Sequence, residues 1–415
     1  MGDRFAVLTI GDELLNGEIA DTNTALIGRI LGSCGYLLRD SLTVGDVEPD
    51  IEEALLYLAS CRDVVIVSGG LGPTEDDLTA RAAAGAFGRR LVLNDEALGL
   101  IRDHFQGLGL DMHPRNEKQA LLPQKIRVLP NARGTAPGFL LQHNGKDLFF
   151  LPGVPEEMEA MLQASVLPLL RERGGGSLPM QERVLKVFGL SEPKTEELLS
   201  RAGLPEGVQV AFGVDFPLVA VKLRASGKSA EESLDRAELL ARRALDEFVV
   251  AVGEETLAGN VARMLTNAGL SLAVAESCTG GLICSMLTDI PGASAFLERG
   301  AVTYANSAKQ QWLQVPAQTL AEQGAVSEAT ALAMARGIRL AAGTDLGLAV
   351  TGIAGPEGGT AAKPVGTVFI ALDAEDQPKV KGYRFAGGRE KIRRLSAIMA
   401  LEWLRRFAAS RRADI

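Results

Sequence analysis

The chain has 415 residues, more than one ordinary hydrophobic core organises, so two or three domains are expected. Hydrophobic residues make up 47% of the sequence, which is typical of a well-buried globular protein, and no apolar run reaches the length of a membrane-spanning helix. The formal net charge of -9 argues against direct nucleic-acid binding, because neutralising phosphates needs a basic surface.

Cysteine usage and the N-terminal sequence predict a cytoplasmic protein. The four cysteines are scattered, without the spacing of a disulfide framework or of a structural zinc site. The chain enters a strand-like segment, FAVLTI, almost at once and shows no signal-peptide pattern. We therefore expect no membrane association.

Residues 1–172 alternate strand-like and helix-like segments. Near-continuous apolar strands separated by helices indicate a parallel, doubly wound sheet. The run from Gly174 to Gly176, followed by Pro179, marks a linker at the end of this domain. The predicted strands are RFAVLTI and DVVIVSGG, and the predicted helices are DTNTALIGRILGSCGY, IEEALLYLASC and EALGLIRDHFQGLG.

Residues 178–253 predict a small α+β module, and residues 255–412 predict another domain in which strands and helices alternate. Gly227 to Ser229 in the module lack the upstream glycine of a phosphate-binding loop, so we interpret them as a turn. The predicted fold class is therefore α/β, with two separate α/β domains joined by a small α+β module.

A glycine-rich loop, SGGLGPTEDDLT, follows the second predicted strand of the first domain. Gly69, Gly70 and Gly72 let backbone amides approach a ligand closely, and such amides suit a phosphate group. Thr74 follows them at the start of an acidic stretch. The loop therefore predicts a nucleotide or phosphate site.

Carboxylates are expected beside this loop. Asp76 and Asp77 belong to it, while Asp12 and Asp46 follow other strand-like segments, and ligands of open α/β sheets collect where the strands end. For each acid, capping a helix N-terminus and complementing the helix dipole is the alternative role. Together they predict a site for a divalent cation, which prefers oxygen ligands.

The stretches GDELLNG, VSGGLGPTEDDLT and LPGVPEEM resemble the molybdopterin-binding domain family. GGLGPTEDDLT with GDELLNGEIADTN upstream is more specifically similar to the N-terminal domain of the CinA (competence/damage-inducible) family. This resemblance implies hydrolysis of the ADP-ribose pyrophosphate bond with a divalent metal, and it puts Asp12, Asp46 and Asp77 where the fold keeps functional acids. The same fold also serves molybdopterin adenylation, so a pterin-binding or adenylating protein is an alternative.

Residues 256–415 contain no histidine, although three polar clusters there look like parts of a catalytic site. All three histidines lie upstream, so a serine or cysteine nucleophile in this domain needs another base. Lysine is the obvious candidate. The clusters are AESCTGG, VTYANSAK and VTGIAGPEGG.

The first cluster places Ser277, Thr279, Gly280 and Gly281 between an apolar strand and a helix. Such a turn holds a phosphate or an oxyanion through backbone amides, although simple helix capping is an equally common role. Cys278 has no histidine partner here, so we interpret it as a buried thiol.

The second cluster carries a candidate base. Tyr304, Asn306 and Lys309 follow a predicted strand, and a partly desolvated lysine near a tyrosine hydroxyl has a lowered pKa. Either Ser294 or Ser277 is then the nucleophile. A lone lysine on a helix is more often a solvated surface charge.

The third cluster is a long glycine loop between two predicted strands. Thr351, Gly352, Gly355 and the neighbouring amides are candidates to grip a ribose or a phosphate. A plain flexible connection is the alternative, although loops of this length are usually functional or disordered.

These motifs, with GASAFLERGAVTYANSAK and GAVSEATALAMA, resemble the C-terminal domain of the CinA family, a module that also stands alone as nicotinamide-nucleotide amidase. The resemblance implies conversion of nicotinamide mononucleotide and water to nicotinate mononucleotide and ammonia, without a metal. It also implies a homodimer. The catalytic residues that it implies are Ser294, Tyr304 and Lys309, and the binding residues are Ser277, Thr279, Thr351 and either Arg389 or Arg393.

We therefore predict a hydrolase with two active sites, whose partners are the small molecules nicotinamide mononucleotide and ADP-ribose. In the C-terminal site, Lys309 with Tyr304 takes the proton of Ser294, which attacks the carboxamide carbon. A non-enzymatic competence or DNA-damage accessory protein is the other alternative.

Overall fold

The computed structural model describes residues 4–174, 180–374 and 377–412. Contacts divide the chain into two compact units: the first consists of residues 1–181 and 225–232, and the second of residues 182–224 and 233–415. The predicted linker falls mostly on residues 175–179, which lie outside the described residues.

The first unit contains a mixed sheet between two layers of helices. The strands of that sheet are β1 (Phe5–Ile10), β2 (Leu38–Val44), β3 (Val64–Ser68), β6 (Ile126–Leu129), β7 (Gly138–His143) and β8 (Lys146–Leu151), and a separate antiparallel pair consists of β4 (Leu91–Leu93) and β5 (Leu121–Pro123). The helices of this unit are α1 (Asp12–Leu15), α2 (Thr22–Ser33), α3 (Glu48–Cys61), α4 (Thr79–Ala86), α5 (Asp95–Gly107), α6 (Pro155–Met161) and α7 (Leu167–Arg173).

The alternation of side chains along β1 explains the two layers. Ala6 and Leu8 pack in a core with α3, α4 and α5, whereas Phe5 and Val7 pack in another core with α2, α6 and α7. Because both faces are covered, every residue of β1 and β3 is buried. A fully apolar strand is thus the expected sequence for this position.

The prediction of a parallel sheet is wrong for part of the first unit. Within residues 4–174 the sheet order is β2-β1-β3-β8-β7-β6, and the first four strands are parallel, but β7 and β6 are antiparallel additions. The reversal occurs at Asn144 and Gly145, which have φ angles of 47° and 76°. An Asn-Gly pair between two strands is the typical two-residue hairpin turn.

The middle segment, residues 180–252, forms a β-α-β-β-α-β arrangement. Its sheet order, β10-β11-β9-β12, is that of ferredoxin-like modules. Phe188, Leu218 and Val250 from this segment pack in the same hydrophobic core as the C-terminal segment. The elements are β9 (Met180–Val187), α8 (Glu192–Ser200), β10 (Gln209–Asp215), β11 (Leu218–Ser226), α9 (Ala230–Leu245) and β12 (Val249–Val252).

The C-terminal segment is a second α/β sandwich. Its helices are α10 (Leu257–Ala268), α11 (Leu282–Thr288), α12 (Asn306–Leu313), α13 (Ala317–Gln323), α14 (Glu328–Ala342) and α15 (Arg389–Arg412). Its strands are β13 (Leu272–Glu276), β14 (Leu297–Val302), β15 (Leu346–Gly352), β16 (Thr367–Ala374) and β17 (Lys379–Arg384), in the order β14-β13-β15-β16-β17 within the described residues.

This sheet brings the predicted clusters to one edge. Strands β14, β13 and β15 are parallel, while β16 and β17 each run antiparallel to their neighbours. The ends of β13, β14, β15 and β17 and the start of β16 therefore lie together, and we call this side the carboxyl edge. Ligands of open α/β sheets bind at such an edge. Among the described residues no helix is both long and apolar enough to cross a membrane.

Candidate functional sites

Lys309 is a buried lysine at the carboxyl edge of the second unit. Its side chain belongs to α12 and is only 1% exposed. The Nζ atom lies 2.8 Å from the carbonyl oxygen of Thr303, 3.0 Å from that of Tyr304 and 3.2 Å from Oγ of Ser277. Burial lowers the pKa of Lys309, because the charged form loses its hydration. None of these three recorded partners is a carboxylate.

Ser277 comes directly after β13 and meets Lys309 across the carboxyl edge. Its amide donates to the carbonyl of Val350 at 3.0 Å, which ties the turn to β15. The following turn needs glycine, since Gly280 and Gly281 have φ angles of 61° and 91°. Ser277 itself is 7% exposed, so its hydroxyl meets the lysine in a nearly dry environment.

Two amides of this turn are available to a ligand. Within the described residues the N–H groups of Cys278 and Thr279 donate to no other residue, although the Cys278 amide interacts with its own thiol. The hydroxyls of Thr279 and Thr303 are also buried without a described partner. Burial raises the pKa of the Cys278 thiol to about 12, so this group is a neutral thiol at neutral pH.

A buried carboxylate occupies the start of α11. The side chain of Glu276, 0% exposed, accepts hydrogen bonds from the amides of Gly281 at 2.9 Å, Ile283 at 3.2 Å and Cys284 at 2.8 Å. The amide of Gly280 donates to the carbonyl of Ser277. The predicted use of the Gly280 and Gly281 amides to hold a phosphate is therefore contradicted, because they already have partners.

The predicted pairing of Ser294 with Lys309 is wrong within one chain. Ser294 is exposed in a short 3-10 turn, Ala293–Ala295, that precedes β14, whereas Lys309 follows β14. A strand of this length separates its two ends by about 20 Å. Ser294 therefore lies at the opposite edge of the sheet from the lysine.

Tyr304 contacts Lys309 through its main-chain carbonyl, not through its hydroxyl. The phenol side chain is 59% exposed, and its oxygen lies 3.3 Å from Nη2 of Arg389. The predicted base in which the tyrosine hydroxyl assists the lysine is thus not what the structure contains. Asn306 is exposed at the first position of α12, on the same edge.

The third cluster supports the site structurally. The hydroxyl of Thr351 is buried and donates to the carbonyl of Ala325 at 2.8 Å, so it is not free to grip a ribose. A Cβ at Gly352 would lie 2.8 Å from the carbonyl oxygen of Thr367, so a side chain there would separate β15 from β16. Gly355 presents its carbonyl to Arg389 at 2.8 Å.

Two arginines of α15 tie these loops together. Arg393 donates to the carbonyl of Thr279 at 2.8 and 3.2 Å, and Arg389 donates to Gly355 and Tyr304. Neither guanidinium has a recorded carboxylate partner in the described part of the chain. Both positive charges are therefore available to an anionic group of a ligand.

The first unit contains a cleft of about 510 Å³ at the ends of β1 and β3. A Cβ at Gly69 would lie 2.2 Å from the carbonyl oxygen of Ile10, so the loop after β3 approaches β1 closely only because it carries glycine. Of the predicted residues, Gly69, Gly70, Gly72, Asp46, Asp76 and Asp77 line the cleft.

Asp12 and Asp46 form a reciprocal pair beside this cleft. The amide of Asp12 donates to Oδ2 of Asp46 at 3.0 Å, and the amide of Asp46 donates to Oδ1 of Asp12 at 3.2 Å. Burial, together with the charges of Asp12, Glu13 and Asp76, raises the pKa of Asp46. These repelling carboxylates favour a cation in the cleft.

The side chain of Asp77 is hydrogen-bonded within its own loop. One of its oxygens accepts from the amide of Thr74 at 2.8 Å and from the Thr74 hydroxyl at 2.5 Å. Among the described residues, no three acidic, histidine or cysteine side chains converge as a metal cage. The carboxylates fit a cation such as Mg²⁺ only if a substrate phosphate completes its coordination.

Sequence reasoning missed several polar residues of these sites. Glu276 lies within AESCTGG and Thr303 within VTYANSAK, but neither was among the predicted site residues. An acidic residue at the end of an apolar strand that leads directly into a helix indicates either a cap for that helix or a functional residue. In the first unit, the unpredicted polar residues that line the cleft are Gln119, Thr135 and Glu157, while Glu13 follows the first predicted strand beside Asp12, as the other acids of this edge do.

Two family models match the N-terminal and C-terminal parts of the chain. Residues 6–172 match the family described as "Probable molybdopterin binding domain", and residues 254–408 match "CinA C-terminal domain". A solved structure, "The crystal structure of the protein CinA with unknown function from Thermoplasma acidophilum", is 37% identical and covers 40% of this chain and 98% of that chain, with a TM-score of 0.38.

Relatives match over nearly the whole length. A "CinA-like protein" of Syntrophotalea carbinolica is 66% identical over 407 residues, which are 98% of this chain and 99% of the relative. A "CinA-like protein" of Geobacter sulfurreducens is 53% identical and covers 97% of this chain and 98% of the relative. The chain therefore belongs to the CinA-like proteins and combines a molybdopterin-binding-type domain with a CinA C-terminal domain.

Proposed function

We propose that the second unit hydrolyses the carboxamide of nicotinamide mononucleotide, with Ser277 as nucleophile and Lys309 as base. The observation that carries the proposal is the 3.2 Å contact between Ser277 Oγ and a buried Lys309 Nζ. The substrate is the one implied by the resemblance of the motifs AESCTGG, VTYANSAK and VTGIAGPEGG to nicotinamide-nucleotide amidases. Ser277 takes this role instead of the predicted Ser294, because Ser277 reaches the lysine and Ser294 does not.

The partners of Lys309 direct its lone pair. A neutral amine has two N–H bonds and one lone pair. The carbonyls of Thr303 and Tyr304 accept the two hydrogens, so the lone pair is left for the third neighbour, the hydroxyl of Ser277. This arrangement suits a general base, and the lowered pKa of Lys309 favours the neutral form that it requires.

The first half-reaction transfers the acyl group to the enzyme. Lys309 removes the proton of Ser277, and Oγ forms a bond to the carboxamide carbon. The free amides of Cys278 and Thr279 stabilise the oxyanion that develops. The carbon–nitrogen bond then breaks, and the leaving amide takes the proton from Lys309 and departs as ammonia.

The second half-reaction uses water. Lys309 takes a proton from the water, whose oxygen attacks the acyl carbon of the ester on Ser277. The ester bond breaks, the proton returns to Oγ, and nicotinate mononucleotide leaves as a carboxylate whose remaining proton is released to solvent.

Arg389 and Arg393 are the best candidates to bind the substrate phosphate. The start of α11 would repel a phosphate, because the Glu276 carboxylate already accepts its amides. The two arginines reach the same site from α15 through Thr279 and Tyr304, and they lack recorded carboxylate partners in the described residues. Guanidinium groups bind phosphate in a bidentate geometry.

Ammonia release from nicotinamide mononucleotide tests this proposal. We expect Ser277→Ala and Lys309→Ala each to lower kcat by about 10⁴-fold, because both groups act on the same proton transfer. Lys381→Ala, which removes an exposed lysine from β17, is the control and should retain full activity. A wild-type chain that releases no ammonia would refute the function. An active Ser277→Ala variant with an inactive Ser294→Ala variant would refute the choice of serine.

We also propose that the first unit hydrolyses the pyrophosphate bond of ADP-ribose. The supporting observation is a cleft that combines glycine amides with half-buried carboxylates. A divalent cation bound with the substrate would stabilise charge on the pyrophosphate. Asp46 and Asp76 are the residues that would hold it, while Gly69, Gly70 and Gly72 let the backbone approach the phosphates.

Formation of AMP and ribose 5-phosphate from ADP-ribose, measured with added Mg²⁺ or Mn²⁺, tests this second proposal. Asp46→Asn should lower turnover at least 100-fold, since it removes a charge from the cation site. Asp50→Asn, on the exposed first turn of α3, is the control. Adenylation of molybdopterin without ADP-ribose turnover would favour the alternative function.

A further inference from the structure

We infer that Glu276 is a positioning residue for the amidase reaction: its buried carboxylate fixes the turn that carries Ser277 and the two free amides. The inference rests on the proposed function of that site. It concerns a residue that touches neither substrate nor Lys309, and it assigns a catalytic consequence to what otherwise reads as a helix cap.

The carboxylate holds the turn from the helix side. Its two oxygens accept three amide hydrogens, from Gly281, Ile283 and Cys284, at 2.8 to 3.2 Å. With these amides engaged, the turn has Cys278 and Thr279 as its free donors. The amides bound to Glu276 thus stabilise the turn, whereas the amides of Cys278 and Thr279 remain for the oxyanion of the proposed reaction.

The main chain of Glu276 holds the turn from the strand side. Its carbonyl accepts from the amide of Thr303 at 2.8 Å, and the carbonyl of Thr303 accepts from Nζ of Lys309 at 2.8 Å. Lys309 in turn meets Oγ of Ser277, the residue that follows Glu276. These contacts close a ring of four residues, so a displacement of Glu276 changes the distance between nucleophile and base.

The geometry requires a group that only accepts hydrogen bonds. The partners of the Glu276 side chain are all hydrogen-bond donors: three N–H groups and the thiol of Cys284. A carboxylate accepts through both oxygens, whereas the amide of glutamine would turn an NH₂ group toward one of the donors. The variant Glu276→Gln therefore keeps size and shape but disturbs the turn.

Steady-state kinetics with nicotinamide mononucleotide test the inference. We expect Glu276→Gln to lower kcat by about 100-fold, because small displacements of reacting groups cost rates of that order. KM should change less than about threefold, since the arginines that bind the phosphate are untouched. A purely structural role would lower the unfolding temperature and leave kcat unchanged at a temperature where the variant is folded.

Glu402→Gln is the matched control. Glu402 is also a buried carboxylate, 3% exposed, but it pairs with Arg405 and Arg406 on α15. This variant should lose stability and retain kcat. If Glu276→Gln does not fold, Glu276→Asp serves instead, since it keeps the charge but is too short to reach all three amides, and it too should lower kcat.

A second readout separates the inference from the proposed function. Covalent labelling of Ser277 by a sulfonyl fluoride reports nucleophile activation without any substrate, and Glu276→Gln should slow it while Glu402→Gln should not. A wild-type chain inactive on nicotinamide mononucleotide would refute the function alone. Wild-type kcat and labelling rates in a folded Glu276 variant would overturn the role of Glu276.

Discussion

At the scale of single residues, the buried amine of Lys309 makes the proposed reaction depend on pH. Burial lowers its pKa below the ordinary lysine value of 10.5. Because only the neutral amine accepts the serine proton, kcat/KM should rise with pH and level off above the folded-state pKa. A pH profile of ammonia release measures this rise in kcat/KM, which we call the rising limb of the profile. Lys381→Ala should leave the limb in place, whereas a limb at the ordinary lysine pKa would contradict Lys309 as the base.

Removing the charge of Asp46 should increase the free energy of unfolding of the first unit. Its pKa is raised, chiefly by burial, so its ionised form is disfavoured in the folded chain. The cost is absent below the ordinary pKa of an aspartate, grows as the pH rises through the folded-state pKa, and stays constant above it. Asp46→Asn should therefore raise the free energy of unfolding of the first unit at pH 7 by roughly 0.5 kcal/mol.

Urea unfolding of the wild type and of Asp46→Asn at pH 7 and at pH 3 measures the difference in their free energies of unfolding, which should be smaller at pH 3. Asp50→Asn is the comparison, since it removes an exposed acid from the first turn of α3 and loses a favourable interaction with the helix dipole. A destabilised Asp46→Asn variant at pH 7 would mean that hydrogen bonding to the ionised carboxylate outweighs its burial.

The site residues show which roles sequence reasoning recovers. The sequence singled out the three polar clusters as parts of one site, and the structure places Ser277, Lys309 and Gly355 of these clusters at one edge of the sheet, because the parallel strands β13, β14 and β15 end there. Ser294 was misassigned because it lies before the start of β14, at the opposite edge of the sheet from Lys309, which follows the end of that strand. Thr351 was misassigned because a hydroxyl in a glycine loop looks free until its burial is known.

At the scale of elements, α15 stabilises the second unit through its buried face. Leu404 is fully buried in the core that α15 shares with α10 and α11. Leu404→Ala should lower the free energy of unfolding by about 3 kcal/mol, because it removes buried methyl groups and leaves a cavity. Leu340→Ala on α14, where the side chain is 59% exposed, is the matched control and should change it by less than about 0.5 kcal/mol.

Thermal or urea unfolding of the two leucine variants compares them directly. Equal effects would show that α15 does not contribute its buried face to a cooperative core. The comparison is informative because both substitutions remove the same atoms from a helix, so helix propensity cancels and burial is the difference.

Strand direction shows the limit of prediction for elements. Periodicity identified β1 and β3, because strands covered on both faces need apolar residues throughout. The antiparallel addition of β7 and β6 depends on pairing, which periodicity does not encode. The local signal for the antiparallel pairing of β7 with β8 was the Asn144-Gly145 pair, since Asn-Gly between two strand-like segments is typical of a two-residue hairpin turn.

At the scale of the whole molecule, the chain contains two α/β domains, each with a candidate site at the strand ends of its own sheet. The residues proposed for ammonia release lie in the second unit, and the acidic cleft lies in the first unit. The two sites share no residue and use different chemistry, a serine ester in one and carboxylates with a cation in the other. We therefore expect the two activities to be separable by mutation.

Paired assays of the full chain test this separation. Ser277→Ala should abolish ammonia release and leave ADP-ribose turnover within about twofold, because the nucleophile has no part in the acidic cleft. Asp46→Asn should show the reverse pattern. Addition of a chelator should likewise stop ADP-ribose turnover and spare ammonia release, since the Ser277–Lys309 site needs no metal to move its proton. Loss of both activities in either variant, with the fold intact by circular dichroism, would show that the sites are energetically coupled.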